Sequence, residues 1–391
     1  MIRLFFNELL RLHNIQITSI GLYYFFNFID RDISNIFLLF ALACCVFDYK
    51  GLYKNIKKQR ALVISVFLFS IWVTLVGIYH NSPIHELDNY YRFLLLLPLL
   101  IISVKDYQLI LILNTCALGA LSHLFWTYTS SDIVRYSGTS SSAITYANLC
   151  ALFSIMCIYF YFIKKNYSIL LLLSSGIFLL ILVLTQTRGP LIGIMISLIY
   201  LTFITRSKLL LSVIPIIALS VVLIPNPIID RIKIISQIDL EINNSIDNFK
   251  PIHGSGSINQ RMFYLQYGFE KLKNHSLVGL GPNHLEEKML SYTEKNNINI
   301  KSRDHLHNEF LDISVKFGIP ALILLLLIYF VLYKLSNKDN RVMMILILIM
   351  LMSSQLTQSQ FGHHQAITFF IVLTYLITDS KTKREYDKIN I

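Results

Sequence analysis

Residues 303–334 read RDHLHNEFLDISVKFGIPALILLLLIYFVLYK. A polar run ending in His305, His307 and Asn308 passes into a stretch, Phe317 to Tyr333, without a single charged residue. About 17 to 25 mostly apolar residues suffice for a helix to cross a bilayer. The spacing therefore predicts a membrane span over 313–334 with histidines held at its mouth. An imidazole beside hydrocarbon points to chemistry at a membrane surface.

The rest of the chain has the same character. Of 391 residues 54% are hydrophobic and 15% charged, against about 25% charged in soluble domains. Mean hydropathy is +0.57. Twelve candidate spans follow: 15–29, 33–47, 61–80, 92–104, 108–128, 142–163, 168–184, 190–204, 208–226, 313–334, 341–358 and 366–378. The expected fold is an all-α polytopic membrane protein. About nine helices occupy 1–226, a large external loop domain covers 227–312, and three more helices with a tail fill 313–391. The loop begins at a Pro-Asn-Pro break, Pro225 to Pro227, which ends the preceding helix. Residues 228–238 have an amphipathic pattern, and 259–272 read as a helix with Met262, Leu265, Phe269 and Leu272 on its apolar side. Gly279 to Leu285, GLGPNHL, reads as a tight turn.

Lysine and arginine set the orientation. With both termini in the cytoplasm, inside segments carry nineteen basic residues, and the short outside loops carry Arg31, Arg92, Arg135 and Arg188. The net charge of +11 is thus mainly topological, and no nucleic-acid-binding motif accompanies it. The basic tail 381–388 reads as a solvated end facing membrane lipids. The five cysteines, Cys44, Cys45, Cys116, Cys150 and Cys157, all fall in expected spans and make neither a disulfide framework nor a zinc spacing. The first apolar stretch lacks a small-residue cleavage site and reads as a retained anchor.

Outer arginines beside membrane usually face a cavity or a partner, and a guanidinium fork matches phosphate oxygens. Arg188 in LTQTRGPLIG, Arg92 in DNYYRFLLLLP and Arg135 in SDIVRYSG sit at comparable depth. Read singly, each is an interfacial arginine extending its head to water, and that reading stays open for Arg31. His305 and His307, flanked by Arg303, Asp304 and Glu309, suit a general base. The bland alternative for His307 is hydrogen bonding at a helix entrance. His363 and His364 are adjacent, a poor arrangement for one metal ion. Asp30 with Asp32, and Asp239 with Glu241, have acid spacings, but Asp30 reads equally as a helix end and Asp32 as an N-cap. No metal site and no cofactor are expected.

QTRGPLIG (186–193), NQRMFYLQYG (259–268), GLGPNHL (279–285) and H-N-x9-G-x-x-A (307–321) together resemble the O-antigen ligase family, within the wider O-antigen ligase and polymerase group. The resemblance implies ten to fourteen spans, a large periplasmic loop late in the chain and a GT-C-like architecture. It implies transfer of O-antigen polysaccharide from undecaprenyl diphosphate to lipid A–core, at the periplasmic face of a Gram-negative inner membrane. By position, His307 matches the motif histidine, Asn308 its partner, Arg188 the arginine after the seventh span and Arg261 the arginine of the loop helix. Arg92 and Arg135 resemble arginines of earlier outer loops. Arg303, His305 and Asn283 complete the expected substrate-binding set. The family pattern often ends Gly-x-x-Gly, whereas Ala321 stands here. An O-antigen polymerase, a protein O-oligosaccharyltransferase and a lipid-oligosaccharide transporter remain as alternatives. The missing internal repeat disfavours the transporter.

Overall fold

A computed structural model describes residues 12–130, 136–140, 142–187, 189–212, 215, 257–295 and 305–378. Among these residues the fold is helical, with no strand. Ten longer apolar helices form the bundle: α1 Leu12–Asn27, α2 Arg31–Phe47, α4 Arg60–Tyr79, α5 Asp106–Ser130, α6 Ala143–Phe162, α7 Ile169–Leu184, α8 Gly189–Thr205, α12 Ile319–Leu335, α13 Arg341–Thr357 and α14 His364–Thr378. Around it stand α3 Tyr49–Lys58, α9 Ser257–Asn274, α10 His284–Lys295 and α11 Glu309–Phe317.

Among the described residues α4, α5 and α6 are long and apolar enough to cross a membrane. The helices α7, α8, α12, α13 and α14 are apolar but shorter. The expected span 208–226 lies largely outside the described residues, as does the amphipathic stretch 228–238.

The two most enclosed helices are α6 and α14. Every α6 position from Thr145 to Phe160 is buried, as is every α14 position from Gln365 to Thr378. Between them lies an aromatic cluster: the Tyr24 ring meets Phe369 edge-on at 4.8 Å, and Phe153 lies 4.9 Å from Phe369. Such pairs contribute about 0.5–1.5 kcal/mol each beyond their buried area. Outward-facing Phe47, Phe125, Trp126 and Phe203 are exposed, as a bilayer-facing surface requires. The five cysteines are free and buried.

Three expectations change in detail. Residues 92–104 are not one helix. Arg92–Leu95 is a single α-turn and Leu97–Ile101 a 3-10 turn with Pro98 at its start, because proline lacks the N–H a continuous helix needs. The span over 313–334 is two helices, α11 and α12, broken at Gly318 (φ 83°). A Cβ at Gly318 would land on the Leu277 carbonyl oxygen, so both the left-handed backbone and the close approach require glycine there. Finally, Asp30 is the cap of α2, accepting from the Asp32 and Ile33 amides; Asp32 lies inside the first turn.

The turn GLGPNHL forms as the sequence indicates, with Gly279 and Gly281 at positive φ. Its amides satisfy the end of α11: Leu280 N donates to Val315 O at 2.7 Å and Gly281 N to Lys316 O at 3.0 Å. The helix at 259–272 is present as α9, but its face is rotated. Phe263, Tyr264 and Tyr267 are buried, whereas Phe269 is 57% exposed. The tyrosine rings pack on Leu306, Leu311 and Val315, leaving the aliphatic side partly outside.

Candidate active site

The segment before α11 is held open by a short polar network. Asn308 caps α11, its Oδ1 accepting from Leu311 N at 3.1 Å, and its Nδ2 donates to Leu356 O at 3.4 Å. One turn into the helix, Asp312 Oδ1 accepts from Leu306 N at 2.9 Å, which folds residues 305–308 back over the helix start. Asp312 Oδ2 pairs with Lys316 Nζ at 2.9 Å, both groups nearly enclosed. Burial works against the Lys316 charge, yet Asp312 and Tyr90 raise its pKa above the ordinary lysine value.

These contacts force His307 into left-handed backbone, φ 51°, a conformation uncommon for residues other than glycine and associated with functional sites. The half-buried ring lies 5.2 Å from Tyr264 of α9 and 4.3 Å from His305. His305 in turn lies 6.3 Å from His363, whose ring hydrogen-bonds the Gln358 amide. Three histidines and a tyrosine from three separate stretches thus meet at one end of the bundle. Arg261 is exposed and one helical turn before Tyr264 on α9. Residues three apart share a helix face, which brings Arg261 to the His307 side.

The remaining expected residues are distributed differently. Arg92 pairs with Asp88 at 3.0 Å and reaches Thr368 of α14 at 3.5 Å. His364, one turn before Thr368, hydrogen-bonds Asn89 and lies within charge range of Arg92 and Arg31. Arg92 therefore belongs to the same end of the molecule, on a neighbouring patch. Asn283 accepts from Ser82 Oγ at 2.6 Å, beside the GLGP turn at the far end of α11. Nine residues of helix separate the two ends by roughly 13 Å, so the fold does not bring Asn283 to His307. Arg188, Arg135 and Arg303 lie outside the described residues. Next to Arg188, Gly189 approaches Thr357 at the end of α13; a Cβ there would meet Thr357 Oγ1 at 2.9 Å.

Glu309 reads from the sequence only as a flank of the histidines, and the run QLTQSQFGHHQ, 355–365, only as a histidine pair. Glu309 is fully buried and its Oε2 accepts from Phe361 N at 2.8 Å. Burial first, then the nearby Asp312, push its pKa up to about 8. Gln355, Gln358, Ser359 and Gln360 are buried too, and each keeps a side-chain polar atom without a hydrogen-bond partner among the described residues. The available signal is a mostly polar run without Lys, Arg, Asp or Glu that joins the apolar helices α13 and α14. Among the described residues no group of three or more His, Cys, Asp or Glu side chains is placed to hold a metal ion. Asp239 and Glu241 lie outside them.

Residues 173–326 match the family model described as O-Antigen ligase. Over this segment the chain is similar to the O-antigen ligase family. The segment contains Arg188, α8, α9 with Arg261 and Tyr264, the GLGPNHL turn, and the histidine loop with α11. No curated protein matches the chain. The glutamine-rich run and Arg92 stand outside the O-antigen ligase segment, yet the fold packs the former directly onto it through Glu309 and Asn308.

Proposed function

We propose that this protein is a glycosyltransferase joining O-antigen polysaccharide, carried on undecaprenyl diphosphate, to lipid A–core. The observation that carries this reading is His307, in left-handed backbone between Tyr264 and His305, inside the O-antigen ligase segment. The acceptor sugar hydroxyl attacks the anomeric carbon from the face opposite the diphosphate. A carbon–oxygen bond forms, the bond to the diphosphate breaks with inversion, and the hydroxyl proton passes to the His307 imidazole. Undecaprenyl diphosphate leaves with the electron pair. Arg188 and Arg261 neutralise the charge developing on it, and Arg92, Arg135 and Arg303 hold the diphosphate or flanking sugars. One well-placed donor of this kind contributes about 2.7–4 kcal/mol to lowering a barrier.

His305 lies close enough to orient His307 or share its proton. Asn308 acts through the α11 cap, and Asn283 binds the glycan from the far end of that helix. The donor is already activated, so no nucleotide is required, and the arginines take the place of a divalent ion in neutralising the diphosphate. The basic asymmetry of the loops supports cytoplasmic termini and a histidine site on the opposite side, and the likeness to the O-antigen ligase family supports a Gram-negative inner membrane, with that side periplasmic.

Purified protein in detergent, supplied with lipid-linked O-antigen, lipid A–core and EDTA and no nucleotide, provides the test. Glycan should appear on lipid A–core in a gel. Glycan lengthening only on the lipid carrier makes the protein a polymerase. Transfer to a protein Ser or Thr makes it a protein oligosaccharyltransferase.

A further inference from the structure

At the opposite end of the bundle from the histidines, α2 and α3 meet at 88°. Asp48 makes the corner, its carboxylate accepting from Gly51 N at 3.1 Å to cap α3. The 17 residues of α2 extend about 25 Å, close to the depth of a hydrocarbon core. A helix leaving it at a right angle therefore lies along the membrane surface. The histidine side is fixed by the other end of α2. Asn27, just before the α2 cap, accepts from Gln365 at 2.8 Å, and Gln365 follows His363, which lies against His305. The α3 surface is thus the one away from the histidine site.

The ten residues of α3, YKGLYKNIKK, separate into three faces. Gly51, Leu52, Asn55 and Ile56 are half-buried against the bundle, with Leu52 on the core and Gly51 so near Ile101 that a Cβ would come within 2.6 Å of it. Tyr49 and Tyr53, one turn apart, stand 67% and 70% exposed. Lys50, Lys54, Lys57 and Lys58 follow at i, i+4, i+7 and i+8, also exposed, and no acidic residue occurs in the helix.

We propose that α3 is a docking helix for anionic phospholipid headgroups on the leaflet away from the histidine site. Tyrosines belong at the membrane–water boundary, one end apolar and the other wet. Basic side chains near an anionic leaflet are drawn to its headgroups within a Debye length. A clean division of aromatic and lysine faces on a helix lying in the surface plane is the pattern of interfacial helices. A protein partner fits less well, since lysine is depleted in protein–protein interfaces. Fixing α3 to the leaflet also fixes the depth of α2.

Native mass spectrometry of the full-length protein, with phosphatidylglycerol or phosphatidylcholine of identical chains, tests the charge. Phosphatidylglycerol should bind at least about fivefold more tightly. That preference should fall to within about twofold in the folded variant combining Lys50→Gln, Lys54→Gln, Lys57→Gln and Lys58→Gln. A preference unchanged in that variant overturns the proposal. Should the variant not fold, a spin label on Tyr53→Cys decides, because the native cysteines are buried. In phosphatidylglycerol vesicles the label should sit at headgroup depth. A label as accessible as one in bulk water, or broadened by a label on a second copy, contradicts it. Neither variant alters the histidine site, so this outcome is independent of the glycosyl-transfer reading.

Discussion

The Glu309 carboxylate accepts the Phe361 amide at 2.8 Å across 52 positions of sequence. This bond ties the first residue of α11 to the turn that carries His363, and so to the wall behind His305 and His307. Removing the acceptor leaves a buried N–H unsatisfied, at a cost of about 1–3 kcal/mol. Glu309→Ala should therefore lower the melting temperature in detergent by several degrees, while Glu309→Gln, which keeps an acceptor oxygen, should lower it less. Equal losses would show that the bond does not matter to stability.

The same residue gives a pH dependence. Its folded pKa is raised to about 8 by burial, above the ordinary carboxylate value. The folded state then holds a proton that the unfolded chain has released, so this contribution to stability is present at low pH and is lost as pH rises between about 4.5 and 8. Wild-type melting temperature should fall over that interval relative to Glu309→Gln, and parallel curves would contradict the assignment.

Asn308 caps α11, and a cap replaced by alanine costs about 0.5–2 kcal/mol. Asn308→Ala should lose stability and transfer rate together. Asn308→Ser restores a capping oxygen and should recover most of both. Recovered stability without recovered rate would instead place Asn308 against the substrate.

Gly318 stands at φ 83° with its Cα against the Leu277 carbonyl. Gly318→Ala should destabilise by about 2 kcal/mol or more, seen as a lower melting temperature and poor recovery from detergent. A neutral result would mean that the α11–α12 break is not what positions the histidine loop.

Much of this architecture was legible in the residues. Apolar runs gave α1, α2, α4 to α8, α13 and α14 to within a few residues, because burial and a membrane select the same side chains. The H-N-x9-G pattern marked the site, but neither its Asn308 cap nor the break at Gly318 was read from it. Other features depend on distant partners and left no local trace. The rotated face of α9 is set by Leu306 and Leu311. Glu309 looks like one more charge beside a membrane until Phe361 is seen above it. The glutamines at 355–360 resemble a loop, yet they are buried because α11 covers them.

Transfer by the purified protein carrying His307→Ala bears most directly on the proposed chemistry. With donor and acceptor saturating and folding verified by an unchanged melting temperature, the rate of glycan appearance on lipid A–core should fall by about 100-fold or more, the contribution expected of a general base. Wild-type turnover in the folded variant would contradict the assignment of His307 as the group that takes the proton.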